Sequence, residues 1–445
     1  MTERPPSPAG ASRPRRRPPS RPPGPLLGQR LELEVGPIAH GGSCVARHEG
    51  RVVFVRHTLP GERVVAVVTE DNGGSFVRAD AVEVVTASPD RVDRPCSHSG
   101  PGRCGGCDFQ HVALPAQRSL KAAVVREQLA RLAGLDVPVQ VEALPGSDDG
   151  LDWRTRMGFA VRPDGVVGLH EHRSDRVYAL DSCPIAAPAV EATGVLRRRW
   201  PGAVAVEVET GAHGGVVVVT PRARASTAVP PLDTPVGVAL RDRSTGAVRP
   251  SALPHGVVEE VAGRRFEVAA GGFWQVHPAA AGTLVEAVLA GLAPRAGERA
   301  LDLYAGAGLF TAPLAVAVGE HGRVHAVESE PRACADAARN TADLPQVRVH
   351  TAHVDADLFD APWALPCDLV VLDPPRAGAG LAVTRRLAAS GARAIAYVAC
   401  DPASLARDLA VFTGAGWRLT SLRAFDLFPM TAHVECVAVV EPGGG

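Results

Sequence analysis

The sequence predicts a multidomain protein: a small OB-like β-barrel, then a central mostly-β region, then a C-terminal Rossmann-like α/β domain. Three observations carry this. Residues 26–87 are short runs of alternating apolar and polar residues broken by glycines, the pattern of a small barrel. Between about 150 and 268, Gly and Pro punctuate further strand-like runs such as AVAVEVET (203–210) and GGVVVVT (214–220), expected to pair antiparallel. From about 272 onward, apolar strands alternate with helical stretches, which means a mainly parallel sheet covered on both faces.

Ahead of these lies a Pro-rich stretch, residues 1–25. Arg4, Arg13, Arg15, Arg16, Arg17 and Arg21 face a single acid there, Glu3. A solvated, disordered tail is expected, with phosphate contact as the alternative. The stretch has no apolar segment and so is not a secretory signal. No apolar run reaches the roughly 18 residues of a membrane helix. A cytoplasmic protein with no membrane partner is therefore expected. Net charge is -1, so the protein as a whole carries no general attraction for nucleic acid. Lys121 is the only lysine, and arginine supplies the rest of the positive charge.

The barrel candidates are LELEV (31–35), RVVFVRH (51–57), RVVAVV (63–68) and ADAVEVV (79–85). Barrels of this type commonly bind single-stranded nucleic acid, although Glu32, Glu34 and Glu62 here accompany Arg30, Arg56 and Arg63. After the barrel come Cys96, Cys104 and Cys107, with Cys44, Cys183, Cys334, Cys367, Cys400 and Cys436 scattered elsewhere. Nine cysteines in a long chain without a secretory signal argue for metal or catalytic use over disulfides. An amphipathic helix is predicted over 115–133, with Leu120, Val124, Leu129 and Leu132 on one stripe.

In the C-terminal region strands are predicted at 299–305, 323–329, 347–352, 367–373 and 392–399. Helices are predicted near 278–293, 309–318, 331–342 and 380–390. Ligands of such sheets sit beyond the carboxyl ends of the strands. The first strand leads into LDLYAGAGLFT (301–311), whose glycines let backbone approach a nucleotide-like ligand. The second ends in Glu328, at the spacing from which an acid can accept from ribose hydroxyls, although a solvated strand-end acid is the alternative. Phe310 and Thr311 stand where a dinucleotide fold has its third glycine. A nucleoside without pyrophosphate fits better, and S-adenosylmethionine is the common one.

The fourth strand ends in Asp373-Pro374-Pro375-Arg376, which resembles the turn that methyltransferases place beside the methyl sulfonium and the target base. The fifth runs through YVACDPASL (397–405), with Cys400 where the strand is expected to give way to a loop. Carbon 5 of a pyrimidine is a poor nucleophile. A thiolate adding to C6 makes an enolate whose C5 can accept a methyl group, and a base must then remove the C5 proton. DLFPMTAHVECVAVV (426–440) offers Glu435 as that base, with His433 as a second candidate.

Together these motifs resemble the bacterial RNA uracil-5-methyltransferase family. The match runs through YVACDP (397–402), DLFPMTAHVE (426–435), FWQVHP, DLYAGAG, AVESE and DPPR. The resemblance implies Cys400 as nucleophile and Glu435 as base. It implies a cofactor site for S-adenosylmethionine built from Gln275, Asp302, Tyr304, Gly306, Gly308, Glu328 and Asp373. Two positions depart from the family pattern, His277 and Asp401, each where Asn is usual.

Residues 26–87 are similar to a TRAM domain. CSHSGPGRCGGCDFQH (96–111) resembles the family's [4Fe-4S] motif, with Cys96, Cys104, Cys107 and Cys183 as ligands. Structural zinc is the alternative on the same thiols. WRTRMGFAV (153–161) is similar to a family segment that implies RNA contacts by Arg154 and Arg156, and Arg376 is a third candidate.

The expected plan is thus a tail (1–25), a TRAM-like barrel (26–87), a central iron–sulfur and RNA-binding domain (88–271) and a class I methyltransferase domain (272–445). The expected substrate is RNA, ribosomal ahead of transfer RNA, acted on by a monomer. An RNA cytosine-5-methyltransferase and an inactive RNA-binding iron–sulfur protein are the rival readings.

Overall fold

The structure is a computed structural model and describes residues 24–222 and 227–443. Residues 1–23 of the expected tail lie outside the described residues.

The N-terminal barrel is a five-stranded sheet in the order Arg30–Glu34, Arg63–Glu70, Phe76–Thr86, Arg51–Arg56, Cys44–His48. Alternation decides its faces: in RLELE, Leu31 and Leu33 are buried while the charged residues face water. The Gly36 N–H donates to the Val45 carbonyl at 2.8 Å and joins the first strand's end to the last strand of the sheet. The sheet's one parallel pairing joins Arg51–Arg56 to Phe76–Thr86.

A helix, Leu114–Gln128, continues into one π-helical turn, Leu129–Ala133, and stops at Gly134 in the left-handed region. It is a hub. Ala116 and Val124 pack into the barrel core, while Ala122, Val125 and Leu129 pack into the C-terminal core. The central region forms a seven-stranded sheet over residues 156–252. It is mixed rather than wholly antiparallel, because Gly215–Pro221 and Gly237–Arg241 pair in parallel. The hairpin Gly256–Val261 with Arg264–Ala269 stands outside this sheet. Asp336 and Asn340 of the helix Pro331–Asn340 accept from its Ala269 and Glu267 N–H groups.

The C-terminal sheet has eight strands in the order Val347–Thr351, Arg323–Glu328, Arg299–Leu303, Leu369–Leu372, Ala394–Ala399, Glu435–Pro442, Trp417–Phe425, Val141–Glu142. The first five pair in parallel, as their unbroken apolar runs require. Glu435–Pro442 enters antiparallel beside Ala394–Ala399. The two-residue strand Val141–Glu142 comes from the region before the central sheet and closes one edge. Among the described residues no helix is long and apolar enough to cross a membrane.

Candidate active site

Cys400 lies at the carboxyl end of Ala394–Ala399, on the topological edge where parallel pairing gives way to the antiparallel strand. The last registered pair is Ala399 with Cys436. One step further sets Cys400 opposite Glu435, and opposed residues of an antiparallel pair project on the same face. Burial pushes the Cys400 thiol up to about 11, the Glu435 carboxyl adds to the rise, and the Arg376 guanidinium opposes it. Glu435 is itself buried, and burial, then Asp373, raise its carboxyl well above the ordinary range against Arg376. Burial likewise raises Asp373. Arg376 is exposed, and its Nη2 lies 3.3 Å from His433 Nε2. Desolvation, with Arg376 beside it, lowers His433 to about 4, so the imidazole is neutral at neutral pH.

Asp401-Pro402 ends the strand as expected, but a helix follows in place of the expected loop: Pro402–Gly414. Asp401 is its N-cap, accepting from the Ser404 N–H at 2.8 Å, with Pro at the first position. Cys400 therefore sits between a buried strand and a capped helix, on backbone fixed from both sides.

The rim of strand carboxyl ends running from Cys400 to Arg299–Leu303 forms the candidate crevice, and its other end holds the glycine turn. Tyr304 adopts a left-handed backbone (φ 63°), as do Gly306 (φ 55°) and Gly308 (φ 90°). A Cβ on Gly306 would meet nothing within 4 Å, so the turn faces open space. Glu328 bridges to it, accepting from Gly306 N at 3.1 Å and from Ser329 and Glu330 N–H groups at 2.6 and 2.8 Å. Asp302 is buried, with one oxygen accepting from Thr311 Oγ1 and the other without a partner among the described residues. Burial pushes its carboxyl up to about 7. Gln275 is buried in the segment entering the domain, just before His277. His277 stacks on Trp153 and meets Ser147 Oγ at 3.0 Å, a packing role that accounts for this departure from Asn.

Cys96, Cys104, Cys107 and Cys183 line one small cavity of about 20 Å³, all as free thiols. Gln110 lines it too, buried, with neither Nε2 nor Oε1 partnered among the described residues. Among those residues no three His, Cys, Asp or Glu side chains stand close enough to hold a single metal ion. Arg154 is half-buried, its guanidinium lying over the Trp153 ring and its Nε donating to the Arg156 carbonyl at 3.1 Å. Arg156 turns inward instead of toward a phosphate. It donates to the Gly272 carbonyl at 2.5 Å and lies 3.7 Å from Glu209, with little side-chain exposure.

A TRAM-domain family model matches residues 26–82, and the tRNA (uracil-5-)-methyltransferase family model matches residues 257–442. An uncharacterised RNA methyltransferase of Streptomyces coelicolor is 51% identical over 432 residues, spanning 94% of each chain. A 23S rRNA (uracil(1939)-C(5))-methyltransferase of Alkalilimnicola ehrlichii is 34% identical over 92% of this chain and 96% of its own. The chain belongs to the RNA uracil-5-methyltransferase family. Its fold is that of the Pyrococcus abyssi tRNA (uracil-54, C5)-methyltransferase, solved with S-adenosyl-L-homocysteine, at a TM-score of 0.69 and 21% identity over 92% of this chain and all of that one.

Several residues of this family member brace the crevice without having stood out in the sequence. Asp408 Oδ2 accepts from Tyr397 Oη at 2.6 Å and from Ala379 N at 2.9 Å, tying the turn after Asp373 to the helix Pro402–Gly414. Lys121, with its side chain wholly buried, pairs with Asp426 at 2.5 Å and donates to the Phe428 carbonyl at 3.0 Å. Gln117 both accepts from Met430 N and donates to Met430 Sδ. Most of these contacts join segments far apart in sequence, and the Tyr397–Asp408 bond, 11 positions apart, runs from a strand to the next helix, so spacing could not reveal them. The helix-start pattern Asp401-Pro402 was the one local signal available.

Proposed function

We propose that this protein methylates carbon 5 of a uridine in RNA, with S-adenosylmethionine as methyl donor and Cys400 as a covalent nucleophile. The opposition of Cys400 and Glu435 beside Asp373 carries the reading. The Cys400 thiolate adds to C6, and the electron pair moves to C5 as an enolate. C5 takes the methyl group from the sulfonium, leaving S-adenosylhomocysteine. The Glu435 carboxylate removes the C5 proton and the S–C6 bond breaks, returning the thiolate. Burial disfavours the charged form of both groups, and Arg376 is the nearby cation that favours the thiolate and the carboxylate the reaction uses.

The methyl donor would lie across the open turn at Gly306, its ribose at Glu328 and its reactive end toward Asp373, with Gln275, Asp302, Tyr304 and Gly308 lining the site. The target base must leave its stack to reach Cys400. Arg78 lies over the rings of Phe54 and Phe76 in a groove that mixes Arg56, Arg103 and Arg173 with Glu70, Asp80 and Glu171, and its ring-stacked arginine is the feature that suits a single-stranded base. The relatives named for a 23S rRNA uridine support ribosomal over transfer RNA.

Cys96, Cys104, Cys107 and Cys183 are the residues that would hold a [4Fe-4S] cluster. Four thiols and the unpartnered Gln110 amide around one cavity support it, with structural zinc on the same thiols as the alternative. Its contribution would be structural, tying the loop 96–107 to Cys183.

The test is incubation of anaerobically purified protein with labelled S-adenosylmethionine and unmodified total RNA, followed by nucleoside separation. Labelled 5-methyluridine from wild type and none from Cys400→Ala is the expected result. Labelled 5-methylcytidine, or turnover by Cys400→Ala, would overturn it.

A further inference from the structure

The barrel reaches the catalytic crevice at two points. His40 Nε2 lies 3.0 Å from Asp401 Oδ2, the residue directly after Cys400. Two residues on, Gly42 adopts φ +84°, and a Cβ there would stand 2.5 Å from the Ala432 side chain, three residues before Glu435. The turn between them is tight, with Gly42 N donating to the Ala39 carbonyl at 3.1 Å and Ala39 N to the Ser43 carbonyl at 2.8 Å. Asp108 backs the second point: its carboxylate accepts from Ala432 N at 3.2 Å and pairs with Arg56 of the barrel at 3.5 Å.

We propose that residues 40–42 of the barrel are a positioning clamp on the two segments carrying Cys400 and Glu435, with the ion pair of His40 and Asp401 as its adjustable contact. This rests on the catalytic reading of those two residues. It also gives the second departure from the family pattern a role. Asp401 spends one oxygen on the helix cap, which Asn could supply equally, and the other on His40, for which it needs the charge. Asp401 thereby links barrel, helix cap and nucleophile through one side chain.

The pair has a definite pH window. Burial alone would raise Asp401, but His40 and the Ser404 N–H hold it down to about 2. The hydrogen bond to Asp401, partly offset by burial, raises His40 above 6.5, with the Asp401 and Glu127 charges adding. The aspartate contribution is present above its ordinary value and lost only as pH falls through about 2. The histidine contribution is complete below 6.5 and lost as pH rises through its raised value. The clamp is therefore strongest below 6.5 and released as pH rises through the raised histidine value.

The experiment is a double-mutant cycle on the full-length protein with His40→Gln, Asp401→Asn and the pair together, using Cys400→Ala as control. Each single variant should lower kcat about tenfold at pH 6.5, with KM for S-adenosylmethionine unchanged and the melting temperature lowered only slightly. The double variant should be no slower than either single one. The ratio of wild type to His40→Gln should shrink toward one as pH rises. An unchanged kcat for His40→Gln, or losses that multiply in the double variant, would overturn the clamp. Turnover by Cys400→Ala would instead overturn the catalytic reading beneath it, so the two failures are distinguishable.

Discussion

Cys400 and Glu435 stand opposite each other one step beyond the Ala399–Cys436 pair, on neighbouring antiparallel strands inside an otherwise parallel sheet. A parallel neighbour would bring its own carboxyl end to this rim. An antiparallel one brings its amino end, so the first residue of Glu435–Pro442 meets the last turn of Ala394–Ala399. The carboxylate is thus fixed to the sheet rather than carried on a loop.

Glu435→Gln should break the cycle after methyl transfer. The C5 proton would stay, the thiolate could not be expelled, and a protein–RNA adduct stable to denaturing electrophoresis should accumulate. Multiple turnover should fall by about 10²–10⁴-fold. Loss of turnover without adduct would assign the carboxylate to an earlier step.

The Cys400 thiol is raised to about 11 by burial and then by Glu435. Only the thiolate is nucleophilic, so alkylation of Cys400 in the free protein, followed by mass spectrometry of its peptide, should be slow at neutral pH. It should climb toward about pH 11. Glu435→Gln should shift that profile to lower pH. A profile with its midpoint near neutrality would contradict the enclosed setting of this thiol.

Asp408→Ala removes the shared acceptor of Tyr397 Oη and Ala379 N. The buried Tyr397 Oη loses its acceptor, while Ala379 N keeps its bond to Tyr397 Oη, at a cost of about 1–3 kcal/mol in urea unfolding. Because Ala379 closes the turn that begins at Asp373, kcat should fall as well. Asp408→Asn, which keeps one acceptor oxygen, should recover part of both losses.

Lys121→Met should be among the most damaging substitutions outside the crevice. It leaves Asp426 buried without its cation, at a cost of about 3–5 kcal/mol. Adding Asp426→Leu should restore most of the stability, since an apolar pair of similar volume replaces a buried ion pair at little cost. A single variant as stable as wild type would show that Asp426 finds another partner.

Protein purified without oxygen should contain about four iron atoms per chain with matching sulfide. Cys183→Ser should lose them, while Cys334→Ser, remote from that cavity, should not. Zinc without iron would reassign the four thiols.

Much of the molecule was open to reading from sequence because the signals were local. Alternation in RLELE, unbroken apolar strands such as LVVL, and the residues Gly306, Asp373 and Cys400 at strand ends each follow from side-chain period or backbone freedom within a few residues. The helix Pro402–Gly414 was also locally encoded, by an Asp cap and a Pro at its first position, yet the breaker was expected to open a loop. Arg156 was out of reach for another reason. Whether an arginine meets a phosphate or turns to a buried partner depends on Glu209 and Gly272, which lie on other strands and turns.

The sequence by itself determined the elements, the order of the three structural regions and the residue types available at each strand end, because period, turn chemistry and capping act between near neighbours. Only the tertiary structure decided which of those residues meet. The single antiparallel strand sets Glu435 against Cys400, Lys121 finds Asp426 some three hundred residues away, and a barrel histidine reaches Asp401. Those partners are chosen by packing of apolar faces, which brings polar groups together only after the chain has closed on itself.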